Sequence, residues 1–436
     1  MPITSIRVQN FKCFRDSGPV KVAPVTMIFG RNNAGKSTLL QSLLLLRQTL
    51  DSGGFGASLN LRGPLFSAGS YVDLVHNHKA QENIKIEIGI TPAKSRPAII
   101  ELEYRSEEPR PPRLVSFAVR VGGKGRVEIK RGRGRSGPYE LHIDSERLGL
   151  EKEANFAFPA HGLLPVIGPE PQRVGRPNER REAARYAARV AVAYLEQCLA
   201  TLRALGPFRQ PPQRRYDFAG YIRDSVDAEG RNVVEALIDD ATRRGRVRGR
   251  LLREVNQWLR AVGGVQLLPI RRLGRSARIY ELRLKHTDSG RWANFADVGS
   301  GIGQAFPVLV EGLRTPIGGT FLVQEPEIHL HPDAQLGVGD FLISLAEEGR
   351  FVIAETHSEN ILLRIRRRIA QRSRAGDLKP SDVSILFVDT DDQANSIVRE
   401  LQLDELGQIE NWPKGFMEHA TEERMQLLEA SASRTE

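Results

Sequence analysis

Four side chains in this sequence have the types and neighbours to handle a phosphate group: Lys36, Ser37, Glu325 and His357. The first two close the run Gly30, Arg31, Asn32, Asn33, Ala34, Gly35, Lys36, Ser37, Thr38. That run fits Gly-x-x-x-x-Gly-Lys-Ser/Thr at every fixed position. Gly30 and Gly35 let the backbone curl so that successive N–H groups point inward at phosphate oxygens. A helix starting at this point presents its positive end to the same anion. Lys36 then reaches the β- and γ-phosphates of a nucleotide, and Ser37 ligates Mg²⁺. The plainer alternative is a tight turn before a helix. The flanks argue against it: Val25, Met27, Ile28 and Phe29 form an apolar run before the loop. Leu39, Leu40, Leu43, Leu44 and Leu46 recur at helical spacing after it.

Glu325 ends a second apolar run, Phe321, Leu322, Val323, followed by Gln324, Glu325, Pro326, Glu327, Ile328, His329, Leu330, His331, Pro332. A buried strand ending in polar residues places them at the carboxyl edge of a sheet, beside the phosphate loop. A carboxylate there orients and deprotonates a water for in-line attack on the γ-phosphate, and Glu325 is the candidate. The alternative is a helix-starting Glu-Pro. Gln324 stands where a Mg²⁺-holding Asp is usual. An amide hydrogen-bonds a metal-bound water but brings no charge. Either Ser37 and the phosphates hold the metal, with Gln324 acting through water, or Glu325 or Glu327 takes that role; slow hydrolysis is the expected cost. His329 and His331 read as loop residues rather than zinc ligands. His357, in Glu355-Thr356-His357-Ser358, sits past another buried strand and is placed to reach a γ-phosphate; a structural loop histidine is the alternative. Ser300, Gly301 and Gly303 supply the small residues that bring backbone N–H groups against a phosphate, or else a glycine turn before a helix.

These groups require an α/β frame. Strands near residues 25–29, 320–323, 351–354 and 383–388 are separated by helical patterns, which implies a mostly parallel sheet with helices on both faces. Between Ile84 and Ile143 the period falls to two, as in an antiparallel sheet. The expected division is residues 1–80 as the N-terminal half of an ATPase head and 81–168 as an antiparallel β lobe with basic loops. Residues 169–275 form a helical insertion, with a helix over 178–205. Residues 276–436 form the C-terminal half of the head.

A chain of 436 residues with a formal charge of +10 leans towards a polyanionic partner such as DNA. Three basic clusters stand out: Lys130 to Arg135, Arg243 to Arg250, and Arg271 with Arg272, Arg275 and Arg278. They read as solvated loops or as contacts to phosphate backbone. Two cysteines without metal spacing, no apolar run of spanning length and no signal peptide point to the cytoplasm, with no membrane partner.

Together GRNNAGKST, DVGSGIGQ, QEPEIHLHP and ETHS resemble the ATP-binding-cassette superfamily in its RecF/SMC-like branch. LGPFRQPPQRRYDF, DVGSGIGQAFPVL, the run from QEPEIHLHP to ETHSENILLRIRRRI, and NWPKGF resemble bacterial AAA15-type ATPases that end in DUF3696. The resemblance spans nearly the whole chain and is weakest between about Pro92 and Gly168. It implies an ABC/RecF-like P-loop head, with Ser300 and Gly301 of one copy facing the P-loop of another across ATP, in a homodimer or higher oligomer. It also implies a switch or clamp on DNA or on a partner nuclease, as in ATPase subunits of some anti-phage systems. The alternatives are a non-hydrolysing ATP-gated module, and a nuclease like the overcoming-lysogenisation-defect enzymes, for which Asp389 and Asp391 would be the catalytic pair.

Overall fold

The phosphate-loop strand, Val25–Gly30, is buried on both faces because helices cover it on both sides. In this computed structural model it lies in a six-stranded sheet. The order is Arg203–Leu205, Thr320–Gln324, Phe351–Glu355, Val25–Gly30, Val383–Thr390 and Ser396–Leu401. All pairs are parallel except the last, an antiparallel edge. Alternate residues face two separate cores, so the strands read as continuous apolar runs. Ile28, Leu322, Ile353 and Leu386 face one. Met27, Phe29, Phe321, Val323, Val352, Ala354 and Phe387 face the other.

The structure describes residues 3–52, 58–91, 96–107, 110–122, 124–131, 139–144, 146–151, 156–157, 166–167, 179–220, 227–243, 248–274, 278–372, 376–413, 416–417, 423, 425–427 and 430. Arg133 and Arg135 of the first basic cluster, residues 244–247 of the second and Arg275 of the third lie outside them. No helix among the described residues is long and apolar enough to cross a membrane.

The first core is closed by a second, antiparallel sheet whose path runs from Glu146–Glu151 through Ala98–Glu107 and Ile84–Ile90 to Ile3–Phe11 and Phe14–Asp16. The N-terminal strand therefore joins the residues 84–151 hairpins directly, through Ile6↔Ile88 and Val8↔Ile86. Between the two sheets run the helices Lys36–Asp51 and Glu179–Ala200. The first is buried nearly all round, as a helix between two sheets must be, with the polar Thr38, Ser42, Arg47, Gln48 and Thr49 buried beside its leucines. The second ends at Ala200, short of the helix expected to residue 205. Arg203–Leu205 instead pairs with Phe321–Val323 at the edge of the parallel sheet. Leu202, Ala204 and Leu205 are buried there, and their spacing suits a strand as well as a helix.

Candidate functional site

The phosphate loop owes its shape to three residues of positive φ: Gly30 at 148°, Asn33 at 62° and Gly35 at 103°. A Cβ on Gly30 would lie 2.2 Å from the Val388 carbonyl oxygen, and one on Gly35 would lie 2.5 Å from Cys13 Sγ. Both positions therefore need glycine for backbone freedom and for space. The helix Lys36–Asp51 begins at Gly35 with no side-chain cap and no acidic residue in its first turn. Its free N–H groups are available to an anion. Arg31, Asn32 and Asn33 are exposed, while Ala34, Lys36 and Thr38 are buried. Lys36 folds back, donating from Nζ to the carbonyls of Gly30 and Arg31 at 3.0 Å each. Burial lowers its proton affinity, against the pull of Glu355 and Glu325.

Strand register carries the distant groups to this loop. Gln324 pairs with Glu355, and Glu355 with Ile28, so three strand ends lie side by side at one edge. Ser37 Oγ donates to Glu355 Oε1 at 2.7 Å, and Gln324 Nε2 donates to Glu355 Oε2 at 2.6 Å. His357 Nε2 is 3.3 Å from Glu325 Oε1, and the His357 backbone N–H donates to Glu327 Oε1 at 2.7 Å. Glu327 is buried, and its Oε2 has no hydrogen-bond partner among the described residues. Burial raises the proton affinity of Glu325 well above the ordinary carboxylate range; the charge of Glu327, a hydrogen bond with it and the charge of Glu355 add to this, and Lys36 opposes it. Burial and Lys36 lower that of His357, while Glu327 and Glu355 act the other way. Lys36, Glu325 and His357 are thus close enough to tune one another.

Two participants escape a reading by motif. Glu355, 5% exposed, links the phosphate-loop helix to Gln324. Its signal was its place as the acidic last residue of a buried strand. Arg209 is the other. Its guanidinium donates to the carbonyls of Gln324 and Glu325 and, at 3.2 Å, of Gln304. Burial lowers its pKa to about 10, against the charges of Glu327 and Glu325. Those bonds fix the chain where Glu325 takes a φ of 46°, a left-handed conformation that costs a non-glycine residue about 1–3 kcal/mol.

Ser300 starts the helix Ser300–Arg314 and is exposed. A Cβ on Gly301 would meet the His329 carbonyl at 2.6 Å, and one on Gly303 would meet Pro212 at 2.8 Å. Gly301 therefore packs against the loop after Glu325, and Gly303 is buried against Pro212. No hydrogen bond joins Ser300 or Gly301 to the phosphate loop among the described residues. His331 caps the helix Pro332–Glu347. Asp391 accepts backbone N–H groups from Gln393 and Asn395 within the turn of the Val383–Thr390 hairpin. These bonds occupy it as a turn residue.

A model described as AAA ATPase domain matches residues 1–131, and an AAA domain model named for the AbiEii toxin of type IV toxin–antitoxin systems matches residues 199–364. A third, the protein of unknown function DUF3696, matches residues 378–427. Two separate stretches of the chain thus match AAA-type ATPase domain models, and a third matches DUF3696. The two AAA matches cover the phosphate loop and the Gln324 to His357 edge respectively. Comparison with curated proteins gives no match. Among solved structures, the chain is similar to an SMC head bound to the C-winged helix domain of ScpA. The identity is 11% over 93% of this chain and 99% of that one, with a TM-score of 0.47. The SMC head domain from Thermotoga maritima gives 10%, 92% and 100%, and 0.41. The SMC head domain with an extended coiled coil, bound to the C-terminal domain of ScpA derived from Pyrococcus furiosus, gives 12%, 99% and 99%, and 0.42.

Ser37 Oγ and Glu355 Oε1, 2.7 Å apart, are both oxygen donors, the chemistry a hard divalent cation such as Mg²⁺ takes.

Proposed function

We propose that this chain hydrolyses Mg-ATP and uses the nucleotide to join two copies into a switch or clamp. The observation that carries the reading is the meeting of His357 and Glu325 at 3.3 Å, beside a phosphate loop whose lysine is buried. Glu325 is the general base. A carboxylate whose proton affinity is raised towards neutrality accepts a water proton better than an ordinary one. Arg209 holds its backbone, and His357 stands by it, largely neutral, to contact the terminal phosphate. Lys36 leaves the Gly30 and Arg31 carbonyls to bind phosphate oxygens, and the uncapped helix start adds its N–H groups. Mg²⁺, when bound, supplies charge neutralisation of the phosphates. The exposed Ser300 at a helix start is the surface that would meet the ATP of a second copy. The charge of +10 supports a DNA or other polyanionic partner.

The test is ATP turnover by the full chain, with and without DNA, together with sedimentation in ATP. Lys36→Ala should abolish nucleotide binding. Glu325→Gln should lower turnover about 10²–10⁴-fold, the range for losing a general base, while ATP binding and dimer formation persist. ATP-dependent dimers with no phosphate release from wild type would favour a non-hydrolysing gate, the reading to which Gln324 lends support. Turnover unchanged in Glu325→Gln would remove the assigned base.

A further inference from the structure

The position that commonly carries the metal-holding carboxylate is an amide here, Gln324, yet a carboxylate touches the loop serine from elsewhere. We infer that Glu355, one strand over, is the residue that holds the nucleotide's divalent cation, and that Gln324 serves to orient it. The inference rests on the ATP reading above and names the metal-binding residue of that site.

Sheet order makes the exchange natural. Phe351–Glu355 lies between Thr320–Gln324 and the phosphate-loop strand. With strands about 4.8 Å apart, the end of the middle strand stands roughly one spacing from the loop strand, and Gln324 roughly two. Glu355 also has one methylene more than Asp. It reaches Ser37 Oγ at 2.7 Å, so two oxygen donors suited to Mg²⁺ already face each other. Gln324 Nε2 holds the other carboxylate oxygen at 2.6 Å. An Asp at 324 would set a second negative charge beside Glu355, without the N–H that now fixes it. Amide and carboxylate are therefore complementary: the charge has moved one strand closer to the loop, and the old position has become its support.

Binding of a fluorescent ATP analogue to the full chain, in EDTA and in Mg²⁺, tests this. Wild type should bind more tightly in Mg²⁺. Glu355→Gln should lose about tenfold or more of that gain, the scale of losing a metal-site interaction, while its circular dichroism and thermal melt stay near wild type and report that it folds. Glu355→Asp, which keeps the charge but withdraws it, should need severalfold more Mg²⁺ for half-maximal effect. The double variant Gln324→Asp/Glu355→Gln, which moves the carboxylate back, should regain most of the gain. A Glu355→Gln protein with the full Mg²⁺ gain overturns the inference and leaves ATP binding standing. Wild type that binds no nucleotide in either buffer instead overturns the ATP reading itself.

Discussion

Two carboxylate clusters in this molecule are comparably buried and opposite in character. In the antiparallel sheet, Glu101 is 3% exposed and is met by three cations: Lys85 and Arg126 at 3.0 Å each, and Arg120. Burial alone would raise its pKa, but hydrogen bonds from Arg126, Lys85 and Arg120 outweigh it and hold the group at about 2. At the nucleotide edge, the charges of Glu327 and Glu355 act on Glu325, and the neighbouring cations are engaged elsewhere. Lys36 donates to the Gly30 and Arg31 carbonyls, and Arg209 donates to the Gln304, Gln324 and Glu325 carbonyls. Positive charge is present, but its N–H groups point at backbone. The first cluster is electrically closed and serves the fold. The second is left short of compensation, and under the proposed function the divalent cation that accompanies the nucleotide would complete it.

The largest effect expected from that contrast lies at Arg209. Glu101 shows what arginines do when they neutralise a carboxylate; Arg209 instead sets a backbone. Arg209→Lys keeps the charge but loses the planar fork that reaches three carbonyls. Glu325 should then leave its left-handed conformation, and a displacement of about 1 Å costs on the order of a hundredfold in rate. Steady-state kinetics should show the fall in kcat, with KM for ATP little changed. Equal changes in kcat and KM, or none, would make Arg209 a packing residue only.

How much of this was legible in the sequence follows the range of each signal. The phosphate loop was legible because its glycines, lysine and serine act within nine residues and its strand and helix adjoin it. Glu325 and His357 were legible as strand-end residues. The contacts of Glu355 with Ser37 and Gln324 are not legible, because they depend on register: only strand order shows that it lies between Gln324 and the loop. Arg209 was missed for a similar reason, since its partners are backbone atoms more than ninety residues away. The edge strand Arg203–Leu205 was read as helix because a short apolar run fits both periods. The joining of Ile3–Phe11 to residues 84–151 depends on tertiary pairing, which no local pattern encodes.

A smaller effect sharpens the other half of the comparison. Glu101→Gln leaves three cations around a neutral amide. Breaking a buried ion pair commonly costs about 3–5 kcal/mol. Here Arg120 and Arg126 are 43% and 32% exposed and can turn to water, so about 2 kcal/mol is expected in urea unfolding. The wild-type contribution should be intact above the ordinary glutamate range and disappear as pH falls towards about 2, because the folded pKa lies below the unfolded one. Stability unaffected by Glu101→Gln at pH 7 would mean that the cluster is decorative.

The same substitution at the nucleotide edge should have the opposite sign. Glu325→Gln removes a charge that the fold disfavours, so the ligand-free protein should gain on the order of 1 kcal/mol at high pH, the usual scale for relieving a functional compromise. The pH dependence separates this from a packing effect. Glu325 has a folded pKa raised above its unfolded value, so its stabilising contribution is present below the unfolded value and lost as pH rises through the folded one. Thermal melts of wild type and Glu325→Gln should therefore diverge as pH rises from 5 to 9 and converge at the acid end. Glu101 runs the other way: wild type and Glu101→Gln converge only in much stronger acid. A Glu325→Gln advantage of constant size across that range would mean that shape, not charge, explains it. A protein destabilised by Glu325→Gln at every pH would show that the nucleotide edge is as electrically closed as the sheet, and the contrast between the two clusters would fail.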